Sequence, residues 1–275
     1  MILGKLYNGS GLGNQLFRYI TVRTKAERLR VPYAMVYIDD HSGKEPGFKG
    51  SSFMKPLLST ASNQQIENVE WNYFNEKKIV DENGVDIRSY DPEFYFVKEN
   101  TVIDGEFQDE RYWQQSLPNI DKWLNVQPLD VPDNKCIIGF RGGEYQAVPD
   151  LFLPKEYWDM AISWKRKTYP GDLTFEVHTD DVETAKKFFP DFECIHDIGV
   201  NWRSVRYARH AIIANSSFYI LPRLLMHNEN RFAGTIAPRY WGRYNTKTWA
   251  LPQNFYKEFT YIHHEINSDR LRISE

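Results

Sequence analysis

The chain has 275 residues, with 34 lysines and arginines against 37 aspartates and glutamates, for a net charge of −3. That balance lacks the basic excess of a nucleic-acid binder, so each arginine is read in its own surroundings. The length supports one large α/β domain or two of ordinary size, no apolar run approaches the ~20 residues that span a bilayer, and no charged-then-apolar leader precedes the first strand.

Apolar runs and their breaks predict alternating strands and helices. The order is a strand over 2–7, a glycine-rich turn over 9–15, a helix over 16–29 and a strand over 33–38. An irregular stretch over 41–100 follows, then a strand over 101–107 and a helix over 109–124. A Pro-containing connection over 127–134 divides the chain into units 1–130 and 131–275. Beyond it come strands over 136–140, 173–178, 193–196, 211–214 and 234–237, with helices over 154–167, 181–189, 202–210 and 216–227. Alternation of this kind implies parallel sheets with helices on both faces, and ligands of such sheets sit beyond the carboxyl ends of the strands. Cys136 and Cys194 lie in apolar runs and read as buried thiols rather than a disulfide or metal site, which fits a reducing cytoplasm. Phe, Trp and Tyr make up 15% of the chain, which suits either sugar stacking or a well-filled core.

The turn Gly9-Ser-Gly-Leu-Gly-Asn-Gln15 joins a strand to a helix. Such a turn lets backbone approach a ligand closely, and the helix start attracts phosphate. A tight turn with a purely steric need for glycine reads equally well, since the spacing is not the G-x-G-x-x-G of dinucleotide enzymes. Set with Lys5-Leu6 before it and Leu16-Phe17 and Tyr19 after it, the turn resembles the opening of the α-1,2-fucosyltransferases, glycosyltransferase family 11. Three later segments are similar to that family's motifs, in its order: Gly105-Glu-Phe-Gln-Asp-Glu-Arg-Tyr-Trp113, Thr179-Asp180-Asp181 and Asn215-Ser216-Ser217-Phe218. The family's His-x-Arg-Arg-x-Asp-Tyr stands here as Gly139-Phe140-Arg141-Gly142-Gly143-Glu144-Tyr145. The first arginine and an acid are kept; the histidine and second arginine are replaced by glycine.

The resemblance implies a GT-B arrangement of two Rossmann-like units, the first on the acceptor side and the second binding the donor, GDP-fucose. It also implies that the Asn215 turn holds the β-phosphate with Arg141 and the Gly13-Asn14 loop, and that Asp180 or Asp181 binds the base. A freed carboxylate can accept two N–H bonds from guanine.

The residues themselves bear on the same chemistry. Breaking a sugar–diphosphate bond requires the leaving group to be neutralised. The chain has no Asp-x-Asp with which to hold a divalent ion, so arginine and helix amides are the substitutes and no metal is expected. Arg141, after a strand and before two glycines, is the best placed; a surface ion pair is its plain alternative. Ser216 and Ser217 at a strand-to-helix step suit either a phosphate or a helix cap, and Asp180 and Asp181 also suit capping. Glu144 is the candidate base for the acceptor hydroxyl, or else an orienting partner of Arg141. His178 is a stand-in for the histidine missing at Gly139, or else a satisfied strand-end histidine. The expected donor contacts are Gly11, Gly13, Asn14, Gln15, Arg141, His178, Asp180, Asp181, Ser216, Ser217 and Phe218, with Arg141 and Glu144 as the catalytic pair. Together these readings predict an inverting, metal-independent transferase acting on a nucleotide sugar and an oligosaccharide. Transfer of another sugar and a non-catalytic nucleotide-sugar or glycan binder are the alternatives.

Overall fold

A computed structural model describes residues 1–7, 9–38, 53–54, 69–80, 86–148, 151–169, 171–230, 232–241, 256–263 and 272–274. About half of the irregular stretch expected over 41–100 lies outside the described residues. The chain divides into two units, Met1–Asp81 with Asp86–Val126, and Glu82–Val85 with Gln127–Glu275.

Unit 1 carries a four-stranded parallel sheet in the order β2-β1-β6-β3. Its strands are β1 (Ile2–Tyr7), β2 (Tyr33–Ile38), β3 (Asn72–Asn75) and β6 (Thr101–Asp104). A short hairpin of β4 (Ile79–Val80) and β5 (Asp86–Ile87) lies in the connection. Helix α1 (Leu12–Leu29) buries Leu12, Leu16, Phe17, Ile20 and Val22. It begins four residues earlier than expected, because Gly11 takes the extended N-cap conformation and the first turn, whose amides need no partner inside the helix, tolerates Gly13 and Asn14. The helix expected over 109–124 is instead two 3-10 turns, Glu110–Tyr112 and Gln114–Ser116, followed by α2 (Leu117–Leu124). Pro118 explains the break, because proline fits the first turn of a helix but not its interior.

Unit 2 carries seven strands in the order β13-β12-β11-β10-β7-β8-β9. They are β7 (Lys135–Phe140), β8 (Thr174–Thr179), β9 (Glu193–Ile195), β10 (His210–Ile213), β11 (Gly234–Pro238), β12 (Phe259–His263) and the antiparallel edge β13 (Arg272–Ser274). Read from β9 to β12, the six parallel strands have the 3-2-1-4-5-6 order of the doubly wound fold. The helices are α3 (Lys155–Thr168), α4 (Val182–Phe188), α5 (Ile198–Tyr207) and α6 (Ser217–Glu229). The expected helix over 202–210 is shifted because the Asp197 carboxylate accepts the Val200 amide at 2.7 Å and starts α5 early, leaving His210 to open β10. Two Rossmann-like units in one chain is the fold class expected from the motifs.

Trp113, Trp158, Trp202 and Trp123 are core residues, which assigns these four indoles to packing. Cys136 and Cys194 are both free, and burial pushes the Cys136 thiol up to about 11. No described helix is long and apolar enough to cross a membrane.

The amino-terminal end of unit 2's sheet buries cations among carbonyls. Arg223 donates to the carbonyls of Val205 at 2.9 Å and Ala208 at 2.6 Å, and Lys165 to that of Gly234 at 2.9 Å. Burial, followed by the charges of Lys165 and Arg209, lowers His210 to about 4; burial and then Arg223 lower His227 to about 3. A histidine kept neutral in the fold but free to protonate when unfolded costs stability as pH falls below its unfolded value of about 6.5, by roughly 1.4 kcal/mol per unit until its folded value is reached. The melting midpoint is therefore expected to fall steadily between pH 7 and pH 4.5. A flat profile across that window in scanning calorimetry would contradict this arrangement.

Candidate functional site

In unit 2 the strand order reverses between β7 and β10, and the crevice outside the carboxyl ends of those strands is where ligands of open α/β sheets bind. The Arg141 turn leaves β7 there and the Asn215 turn leaves β10. The Tyr145 hydroxyl joins the two turns by donating to the Asn215 carbonyl at 3.3 Å.

Arg141 is held on two sides. Nη1 lies 2.6 Å from Asp180 Oδ2 and Nη2 lies 2.9 Å from Glu144 Oε1, while the guanidinium covers the Tyr145 ring at 5.2 Å. Burial works against its charge, but Asp180 and its other neighbours raise its pKa further. The Gly142 amide donates to Asp180 Oδ1 at 2.9 Å, so Asp180 ties the arginine and its turn to the end of β8. Glu144 is 65% exposed in its side chain, so its half of the clamp is the one an incoming anion can displace.

The glycines of this turn have a packing cause. A Cβ on Gly142 would lie 2.7 Å from Asp181 Cβ, and one on Gly143, whose φ is +31°, would run into Asp180 Oδ2. Gly139 faces Tyr219, whose ring would lie 2.8 Å from an added Cβ and whose hydroxyl donates to the Phe140 carbonyl at 3.1 Å. Tyr219 and Asp181 thus occupy the space that side chains at positions 139 and 142 would take.

Three of the expected donor contacts, His178, Asp181 and Gln15, are engaged by the protein itself. His178 is fully buried, with Nδ1 2.9 Å from Asn201 Oδ1 and Nε2 2.8 Å from Glu176 Oε1, so it is a satisfied strand-end histidine and no substitute for the missing one. Asp181 caps α4, its Oδ1 accepting the Thr184 amide at 3.0 Å and its Oδ2 the Gln146 amide. With Asp180 engaged by Arg141 and Gly142, neither carboxylate stands free as a two-pronged acceptor for a base.

Ser216 occupies the N-cap of α6 in extended conformation but makes no side-chain capping bond, whereas α4 and α5 are capped by Asp181 and Asp197. Helix α6 thus presents its first amides, next to the half-exposed Ser217 and Phe218, without a side-chain acceptor. Asn215, buried, donates to the Leu151 carbonyl at 2.9 Å and also to that of Trp241.

In unit 1, Gly9 supplies the positive φ of the turn, at +84°. Gly11 is exposed with nothing within 4 Å of an added Cβ, so the fold does not require glycine there. Gly13 is buried inside the first turn of α1. Gln15 is buried and braces the turn, Nε2 donating to the Ser10 carbonyl at 2.7 Å. Asn14 Oδ1 accepts from Gln108 Nε2 at 3.1 Å, linking two of the motifs found in sequence. Among the described residues no group of three or more His, Cys, Asp or Glu side chains is placed to hold a metal ion.

Tyr219, Tyr145 and Asp180 as the arginine's anchor were missed as site-builders. Tyr145 closes a motif seen in the sequence, but nothing in the sequence pairs Tyr219 with Gly139, 80 positions away.

No protein-family model matches the chain, and no curated protein matches it. Solved structures similar to it include NodZ α-1,6-fucosyltransferase soaked with GDP-fucose, at 12% identity over 99% of this chain and 98% of that one, with a TM-score of 0.48. Se-Met fucosyltransferase NodZ from Bradyrhizobium is similar at 13% identity over 99% and 98%, with a TM-score of 0.44. E. coli heptosyltransferase WaaC with ADP-2-deoxy-2-fluoro heptose is similar at 10% identity over 95% and 92%, with a TM-score of 0.45.

Proposed function

We propose that the protein is an inverting, metal-independent glycosyltransferase that moves L-fucose from GDP-fucose to a glycan hydroxyl. The observation that carries this reading is a guanidinium, Arg141, positioned by Asp180 at the switch point of a Rossmann-order sheet, with the uncapped start of α6 on the neighbouring strand. Arg141, the amides of Ser217 and Phe218 and the hydroxyls of Ser216 and Ser217 receive the β-phosphate. As the bond from the anomeric carbon to the phosphate oxygen breaks, the electron pair passes to that oxygen, and a fixed cation and oriented amides stabilise it. Glu144, released from Arg141 by the arriving diphosphate, takes the proton of the acceptor hydroxyl.

A second reading has support of its own. Glu144 already occupies one prong of Arg141, and Gly142 stands where the resembling family has an arginine, which favours either another nucleotide sugar or a binder that does no chemistry. Incubation with GDP-fucose and other nucleotide sugars, each with a glycan panel, separates these. GDP release from GDP-fucose that depends on a glycan and persists in EDTA is expected, because arginine and amides take the place of a metal ion. Release from a different donor would name that sugar, and GDP binding without release would make the protein a binder. Turnover lost to EDTA and restored by magnesium or manganese would overturn the proposed chemistry.

A further inference from the structure

Beneath Asp180, β8 carries a chain of polar side chains that no step above uses. Glu176 and His178 stand two apart on the strand and so share one of its faces. His178 Nε2 lies 2.8 Å from Glu176 Oε1, and Nδ1 lies 2.9 Å from Asn201 Oδ1 on α5. Lys135 Nζ, at the start of β7, donates to Glu176 Oε2 at 2.5 Å. At the other end of the chain Asn201 Nδ2 donates to the Thr179 carbonyl at 3.0 Å. His178 and Thr179 are fully buried, and Asp180 follows them directly.

These partners fix the protons of the ring. The Thr179 carbonyl can only accept, so the Asn201 amide is held with its oxygen toward His178. The other ring nitrogen faces a carboxyl group whose second oxygen takes a lysine. The hydrogen bond from His178, ahead of that from Lys135, brings the Glu176 carboxyl down to about 2 against the opposing effect of burial. Both ring nitrogens thus meet acceptors. A neutral imidazole has one donor and one acceptor, whereas an imidazolium donates on both sides. Nearby stand the exposed Glu193 of β9, in register with Glu176, and the Tyr219 hydroxyl of α6, 3.3 Å from the His178 carbonyl.

We propose that His178 is a positioning residue of the diphosphate site, held as an imidazolium between Glu176 and Asn201 so that the end of β8 presents Asp180 to Arg141. The role rests on Arg141 being the cation that meets the diphosphate. The link is short. It runs from the ring to Asn201, from Asn201 to the Thr179 carbonyl, and one residue on to Asp180 Oδ2, 2.6 Å from Arg141 Nη1. A buried charge with a partner on each side resists reorientation, because turning the ring would leave it or Glu176 unpaired. Buried as it is, the ring meets no substrate and acts through the arginine alone.

Nitrogen-15 NMR of the histidine rings in the full chain, with calorimetric titration of GDP, tests both halves. At pH 7.5, where an ordinary histidine of pKa about 6.5 is mostly neutral, both His178 ring nitrogens of the parent are expected to be protonated. In Glu176→Gln, whose amide can donate to Nε2 and still accept from Lys135, only Nδ1 is expected to keep its proton. A neutral His178 ring in the parent overturns the inference and leaves the diphosphate reading untouched. Asn201→Leu cuts the ring from Thr179, and is expected to weaken GDP binding about fivefold or more in the parent and less than about twofold in Arg141→Ala, because the link acts through the arginine. Equal losses in the two backgrounds, or no loss in the parent, overturn the positioning role. If Asn201→Leu fails to fold, His178→Gln is read by the same comparison. A parent that binds no GDP removes the diphosphate reading and the positioning role together, whatever the ring's protonation.

Discussion

Replacing Arg141 with alanine is expected to lower turnover by a hundredfold or more, about 3 kcal/mol of transition-state stabilisation on the scale of losing one charge-stabilising donor. The loss should fall more on kcat than on the donor's KM, because charge moves onto the leaving oxygen only as the bond breaks. Lysine should rescue incompletely. The guanidinium spans Asp180 at 2.6 Å and Glu144 at 2.9 Å with separate nitrogens, a geometry that a single ammonium on a flexible stem does not reproduce. Glu144→Gln is the matching control, with reduced turnover and nearly parental GDP affinity expected if the carboxylate serves the acceptor. Steady-state kinetics on the three variants would check this, and near-parental turnover in Arg141→Ala would remove the transferase reading of the turn.

The largest effect on stability is expected one residue earlier. Phe140 is fully buried, and its ring meets Trp158 at 5.4 Å, Phe188 at 5.2 Å, Phe189 at 5.6 Å and Phe152 at 5.9 Å. It pins the end of β7, from which Arg141 departs, against α3 and α4. Truncation to alanine leaves a cavity among rigid rings and is expected to cost about 3–5 kcal/mol. For a unit of this size that lowers the melting midpoint by ~10 °C. A shift of only a degree or two in calorimetry would mean that the cluster collapses around the gap and does not fix the strand end.

The alternation of short apolar runs with helical stretches was enough to read three strands of unit 1's sheet and five of unit 2's from sequence, with β12 and β13 lying beyond the last strand expected, because strands buried on both faces are near-continuous in apolar residues, as at Cys136, Ile137 and Ile138. β3 was missed since Asn72–Asn75 buries only Phe74 and so carries no such run. The helix starts moved where a cap was overlooked, at Gly11 and Asp197. Arg141, the two turns and the start of α6 were readable from their strand-to-helix positions, but not that Ser216 leaves α6 without a side-chain cap. Side-chain direction was not: whether Asp181 faces a ligand or its own helix, and whether His178 faces solvent or Asn201, depends on packing across β8, which spacing along the chain does not encode.

In the function proposed above, Arg141 and the start of α6 form a diphosphate site. Calorimetric titration of GDP into the parent and into Arg141→Ala tests it most directly. Saturable one-to-one binding by the parent that the substitution weakens at least tenfold is the expected result, and equal affinity of the two proteins, or no binding by the parent, would contradict it.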